Sequence, residues 1–155
     1  METEIVKPFI DATINTLKVQ AEVEAKHGKV FLKDPANGIN GDVSGVIGVI
    51  SDQFNGSVII SFPEETFLKV MSNMLGEEIT ELTKEIIDGA GELTNIIFGQ
   101  AKAVLNENNY GVQMALPSVI SGKNHTLNHS PKDTVIVVPF ESNVGNFFIE
   151  ICIQK

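Results

Sequence analysis

Lys84-Glu85-Ile86-Ile87-Asp88-Gly89-Ala90-Gly91-Glu92-Leu93-Thr94-Asn95-Ile96-Ile97-Phe98-Gly99-Gln100-Ala101-Lys102-Ala103-Val104-Leu105 carries a single helical period from end to end. Ile86, Ala90, Leu93, Ile97, Ala101 and Val104 recur at intervals of four and three, and Ile87, Phe98 and Leu105 widen the stripe. The period predicts a long helix from about Thr80 or Thr83 to Asn106, with this face turned into a core. A one-faced helix of this kind has to lie against another layer, so what flanks it decides the class of fold.

Strands flank it on both sides. Gly41 to Ile50 and Ser57 to Phe62 are rich in β-branched residues, and the Ser51-Asp52-Gln53-Phe54-Asn55-Gly56 segment between them contains Asn-Gly, a strong turn signal; together they predict a hairpin. Ser61-Phe62-Pro63-Glu64 has the spacing of a capping box with proline at a first-turn position. It opens a helix that ends near Gly76 and turns Phe67, Val70, Met71 and Met74 inward. From Gly111 onward, strands alternate with turn clusters at Ser121-Gly122-Lys123-Asn124 and Ser142-Asn143-Val144-Gly145-Asn146, and the last strands are Thr134 to Phe140 and Phe147 to Ile153. At the other end, Phe9, Ile10, Ala12, Ile14 and Leu17 make Lys7 to Gln20 an amphipathic helix with Pro8 in its first turn. Short strands at Glu22-Val23-Glu24-Ala25 and Lys29-Val30-Phe31-Leu32-Lys33 follow, then a turn at Asp34-Pro35-Ala36-Asn37-Gly38.

The order helix, strands, two helices, strands argues for a two-layer α/β sandwich with a largely antiparallel sheet, folded as one domain over residues 1–155. An offset of 89 positions matches Val46 with Val135, Ile47 with Ile136, Val49 with Val138, Gly56 with Gly145 and Ile60 with Ile149. This predicts a duplicated half-domain, in which the first helix and the long helix are counterparts.

Composition narrows the partners. Twenty acidic residues against 11 basic ones give a formal net charge of −9, and no stretch gathers lysine and arginine into a stripe that could follow a nucleic-acid backbone. The opening Met-Glu-Thr-Glu-Ile-Val-Lys-Pro lacks the basic and apolar regions of a secretory signal, and no apolar run reaches membrane-spanning length; a cytoplasmic protein without nucleic-acid or membrane partners is expected. The single cysteine, Cys152, lies in an alternating strand and is expected to be a packed thiol rather than a nucleophile. His125 and His129 fall in a β pattern, where residues four apart stand about 13 Å from one another, too far for one ion without a further ligand. The Asn124-His125-Thr126 sequon carries no meaning without a secretory route.

The face of the long helix opposite its apolar stripe reads Glu85, Asp88, Glu92, Asn95, Gly99, Lys102, Asn106. Glu92 and Asn95 are neighbours one turn apart, a carboxylate and a carboxamide projecting together. Gly99 costs roughly 1 kcal/mol in helix propensity relative to alanine, and leaves the surface beside Asn95 bare. Three glycines in one helix call for a packing or docking reason. Spacing alone does not separate this line from the solvated face of any amphipathic helix.

The segment Gly91-Glu92-Leu93-Thr94-Asn95-Ile96-Ile97-Phe98-Gly99-Gln100-Ala101-Lys102 closely resembles the signature helix of the CheC/CheX phosphatases. Pro8-Phe9-Ile10-Asp11-Ala12-Thr13 resembles the first helix of the CheX type, and Leu116-Pro117-Ser118-Val119-Ile120-Ser121-Gly122 the segment that follows the signature helix. The resemblance implies a phosphatase acting on the aspartyl phosphate of a CheY-type response regulator, with Mg2+ supplied by that partner and no cofactor of its own. It implies catalytic roles for Glu92 and Asn95, partner contacts at Asp88, Ile96, Gly99 and Lys102, and a homodimer. The first helix offers Asp11 and Ile14 where a second Glu-x-x-Asn would stand, so only the later helix is expected to be competent. A non-catalytic docking or flagellar-switch-like structural module of the same fold is the alternative that intact Glu92 and Asn95 argue against; a third reading, an adaptor that holds the phosphorylated regulator without hydrolysing it, is separated by turnover against simple co-elution.

Overall fold

A computed structural model describes residues 2–34 and 38–154 of the chain; the expected turn at Asp34 to Gly38 therefore lies largely outside the described residues. The elements run α1 (Glu2–Ala21), β1 (Ala25–His27), β2 (Phe31–Lys33), β3 (Gly41–Ile50), β4 (Asn55–Phe62), α2 (Glu64–Leu75), α3 (Lys84–Glu107), β5 (Gln113–Met114), β6 (Ser118–His125), β7 (Thr134–Ser142) and β8 (Phe147–Ile153). The strands form one eight-stranded antiparallel sheet in the order β1-β7-β8-β4-β3-β5, with β2 also on β7 and β6 also on β3.

Alternation in the strands explains why the helices lie where they do. Val43, Ile47 and Val49 of β3, Val58, Ile60 and Phe62 of β4, Ile136, Val138 and Phe140 of β7, and Phe147, Ile149 and Ile151 of β8 all enter one core with the apolar faces of the helices. α1 and α3 are held to each other by Phe9 and Phe98, edge to face at 5.6 Å. α1 begins at Glu2, earlier than the pattern predicts, so Pro8 lies inside the helix rather than in its first turn.

Three local signals act differently from their sequence reading. Asn55-Gly56 does not make the hairpin turn: both residues belong to β4, and Ile50 pairs with Asn55. The turn is built by Ser51, whose Oγ accepts the N–H of Phe54 at 2.8 Å and donates to the Phe54 carbonyl at 2.6 Å. Gly56 is needed for another reason, because a Cβ there would lie 1.8 Å from the Cys152 carbonyl oxygen on β8. The capping box does not form either. Ser61 stays in β4 with its Oγ 2.7 Å from that of Ser44, and Pro63 is the N-cap of α2 without a side-chain bond of its own. The acceptor comes from β3: Asp42 Oδ2 takes the Glu64 N–H at 2.7 Å, while Oδ1 takes that of Asn124 at 2.9 Å. Finally, Ser121 to Asn124 continue β6 as a bulged strand, with Gly122 at φ +147° and Asn124 at φ +56°, and the ladder slips between Gly41 and Val43.

The internal repeat is visible in part. Ile60 pairs with Ile149, its own counterpart at the offset of 89, so the two hairpins meet about a local dyad where β4 meets β8. Val46 pairs with Ile59, whereas Val135 pairs with Cys152 rather than with Phe148, the counterpart of Ile59. Between the last paired residues the first hairpin leaves four residues (Ile50 to Asn55) and the second six (Phe140 to Phe147), and no single offset serves both strands.

Asp42 ties the start of α2 to the β6 bulge, and these two N–H donors, Asn124 first, hold its carboxyl below the usual carboxylate range. A depressed carboxyl stabilises the fold above its unfolded pKa and loses that contribution as pH falls through the folded value. Asp42→Asn keeps one acceptor of the two, and is expected to lower stability near neutral pH by about 1 kcal/mol. In urea melts across an acid pH series, the gap to wild type narrows as pH drops below the carboxylate range; a gap independent of pH refutes the assignment.

Candidate functional site

α3 is started by Thr83, whose Oγ1 accepts the Ile86 N–H at 3.3 Å. Its buried line is Ile86, Ala90, Leu93, Thr94, Ile97, Phe98, Ala101 and Leu105. Val104, expected in this stripe, is 42% exposed: it lies at the open groove between α1 and α3, with Asn15, Gln100 and Tyr110. Thr94, which polarity alone would place outside, is fully buried and donates to the Ala90 carbonyl at 2.5 Å.

The rotation of α3 is set by that threonine. A Cβ on Gly45 of β3 would fall 1.8 Å from Thr94 Oγ1 and 2.9 Å from its Cβ, so the helix sits directly on sheet backbone at this point. With Thr94 turned to the sheet, helical spacing carries Asn95 outward, and Glu92 one turn earlier lies on the same side. Both are exposed, and neither side chain has a hydrogen-bond or ion-pair partner among the described residues.

The three glycines of α3 divide by role. At Gly89 a Cβ would meet the Met71 methyl at 2.4 Å, and at Gly91 the Val119 side chain at 3.2 Å; these two let α2 and β6 close on the flanks of the helix. At Gly99 a Cβ would meet nothing within 4 Å, so its smallness serves no internal packing. Glu92 and Asn95 border an open depression shared with Glu85, Asp88, Leu75 and Pro117. Leu75 and Pro117 were not singled out as site residues from the sequence, since their place beside the ridge depends on chain segments remote from it.

The remaining expected positions are brought to the same face. Asp88 makes a long, exposed ion pair with Lys84 at 3.9 Å, a contact of small energetic weight. Gly99 is exposed, and Ile96 and Lys102 are half-buried. Asn106, at the end of the line, is occupied instead, bonding the N–H and carbonyl of Val112 at 2.6 and 3.2 Å. On α1, Asp11 is taken by Lys7 at 2.7 Å and Ile14 packs against the core, so the Glu-x-x-Asn pair is not repeated there.

Other reactive side chains serve the fold. The Cys152 thiol is buried beside Asp133, and burial first, then that carboxylate, pushes its pKa up to about 12, which keeps it protonated. His125 bonds Ser44 Oγ through Nε2 at 2.7 Å. His129 lies 3.5 Å from Glu150, the carboxylate that also pairs with buried Lys33. The two histidines thus belong to different networks.

A family model described as chemotaxis phosphatase CheX matches residues 43–141, which take in β3 through most of β7 and the whole of α3. The chain belongs to this CheX family. It is 32% identical over 124 residues to the CheY-P phosphatase CheX of Thermotoga maritima, covering 79% of each protein. The chemotaxis protein CheX of Vibrio vulnificus has a solved structure that superposes with a TM-score of 0.90 at 43% identity, over 97% of this chain and 99% of that one. The fold of a CheX–CheY–BeF3–Mg2+ complex from Borrelia burgdorferi matches with a TM-score of 0.79 at 27% identity, over 97% of each chain. The mixed α/β architecture read from the sequence is therefore that of the family.

If the Gly45–Thr94 contact seats α3, adding one methyl group at Gly45 has to lift the helix or force Thr94 from its position. Gly45→Ala is expected to destabilise the protein by about 1–3 kcal/mol, read as a lowered thermal midpoint. Partial restoration of the midpoint by a second change, Thr94→Ala, which removes the hydroxyl but leaves its Cβ 2.9 Å from the added methyl, is the matching outcome; a Gly45→Ala protein as stable as wild type removes the contact from this role.

Proposed function

We propose that this protein accelerates hydrolysis of the aspartyl phosphate on a CheY-type receiver domain. The observation that carries the reading is the pair Glu92 and Asn95, exposed and without a partner among the described residues on one face of α3, with the bare backbone of Gly99 beyond them. The family match and the naming of a relative as a CheY-P phosphatase support it. So does the relative captured with CheY, BeF3 and Mg2+, since beryllium trifluoride on a carboxylate imitates a phosphoryl group.

Hydrolysis of an acyl phosphate asks little covalent chemistry of the protein; it needs a water held in line with the bond that breaks, and charge balanced around the phosphoryl oxygens. Asn95 orients that water. A carboxamide offers an acceptor and two donors without charge, whereas a carboxylate in its place would repel the phosphoryl group. Glu92 accepts a charge-assisted bond from a lysine of the receiver and so fixes the register in which α3 enters. Mg2+ comes with the receiver. Ile96, Lys102 and Asp88 lie on or beside the same ridge and make contacts at its margins.

The decay of a phosphorylated receiver, followed with and without the protein, tests the assignment. Asn95→Ala is expected to remove stimulated decay, a loss of about a hundredfold or more, while binding stays within a few-fold of wild type; Glu92→Ala weakens both. Unchanged decay with Asn95→Ala would falsify the role of the amide.

Gly99→Phe is expected to stop stimulation by bulk alone, with the thermal midpoint kept, because the position faces open space. Normal binding of a phosphorylated receiver by that variant puts Gly99 outside the contact.

A further inference from the structure

The turn of α3 that carries Asn95 is met by two strands. Thr94 rests on Gly45 of β3, while Gly91, one turn before Asn95 on the same flank, is met by Val119 of β6, whose Cγ2 lies 3.2 Å from where a Cβ on that glycine would stand. These two contacts are linked. Gly45 and Val119 are register partners in the β3–β6 ladder, and residues opposite one another in an antiparallel pair project to the same face, so the strand position that seats Thr94 also raises the Val119 side chain beside the helix. Alternation carries that face to Pro117, two positions earlier at the entry to β6. Gly91, Asn95, Pro117 and Val119 border one depression.

What stands beside an exposed amide decides whether it is available for chemistry. A hydroxyl or carboxylate on this side could bond the Asn95 carboxamide and turn it inward, but Pro117 and Val119 carry no polar side-chain atom, and Asn95 has no hydrogen-bond partner among the described residues. The same two residues are stiff, proline through its ring and valine through its branched Cβ. Both are half-buried, Val119 packs against the core, and its neighbours Ser118 and Ile120 pair with Val46 and Ser44 of β3. Gly99, farther along the ridge, offers open space instead. An asparagine free in solvent samples its staggered side-chain wells, whereas a rigid wall removes some of them before any substrate arrives.

Resting on the phosphatase reading, we infer that Pro117 and Val119 are positioning residues: an apolar backstop that confines the Asn95 carboxamide to the orientation in which it holds the attacking water, and denies it a bond within the protein. They act on the reaction through Asn95 alone. Their effect therefore falls on turnover rather than on affinity for the receiver.

The test compares Val119→Thr, which keeps the branching and sets a hydroxyl against the amide, with Val119→Ile, which keeps the wall apolar, and with the double variant Pro117→Ala/Val119→Ala, which lowers it. With a phosphorylated CheY-type receiver as substrate, Val119→Thr and the double variant are expected to lose about tenfold in kcat with KM within about twofold, while Val119→Ile keeps kcat within about twofold of wild type. Mobility of the amide is read separately, in the free protein. The NMR order parameter of the Asn95 side-chain N–H groups is expected near the rigid value of about 0.85 in wild type and Val119→Ile, and below about 0.6 in the double variant. An amide already mobile in wild type overturns the backstop. So does an unchanged kcat in both Val119→Thr and the double variant, or a loss that appears in KM instead, which puts the wall in contact with the receiver. If wild type fails to speed receiver decay, the phosphatase reading falls, while the order parameters still decide whether the wall confines the amide.

Discussion

Asn95 projects from the fold because its neighbour Thr94 is held against the sheet. The absence of a side chain at Gly45 allows helix α3 to rest on strand backbone at the residue next to the amide, and the closeness of that contact leaves little room for the helix to roll. A roll of one residue, about 100°, would carry Asn95 toward the core flank and put another side chain on the ridge. Phe9 against Phe98 and Thr83 at the N-cap hold the same helix at other points. An exposed pair of polar side chains is thus positioned by contacts that are themselves buried and largely apolar.

The opposite face of the sheet is organised around charge. Glu150 lies on β8 near the middle of the sheet, with buried Lys33 from β2 and His129 from the segment before β7 around it. A buried carboxylate is tolerable only with such partners, and loss of Lys33 would leave it with His129 alone. Cys152, on the same strand and the same face, stays a protonated thiol. Neither group is open to a substrate. The division of labour is plain: one face of the sheet seats α3, and the other fastens the peripheral strand and loop.

How much could be read in advance follows from whether each feature is local. The apolar period of α3 and the polar ridge opposite it are properties of one segment, and they were legible at the level of single residues, with Val104 the exception because an open groove replaces the neighbour it needed. The alternation of β3, β4, β7 and β8 was legible for the same reason. Asn55-Gly56 misled because its glycine answers to Cys152, far along the chain. Ser61 misled because Ser44 opposite it keeps it in the sheet, while Asp42 serves the helix it was expected to cap. Ser121 to Asn124 look like a turn, and become a bulge only because β3 lies beside them. The chemistry of Glu92 and Asn95 was suggested by resemblance rather than by spacing, since any amphipathic helix offers an acid and an amide somewhere on its wet side.

The strand order carries a further consequence, for assembly of the chain. β8 is the last strand in chain order, yet it lies between β7 and β4 and is the only bridge between the two hairpin halves of the sheet among the described residues. Until it inserts, β3 with β4 and the strands around β7 are separate ribbons with unpaired edges, exposed to wrong partners. Closure of the sheet therefore waits for contacts of large sequence separation, the kind that make folding slow.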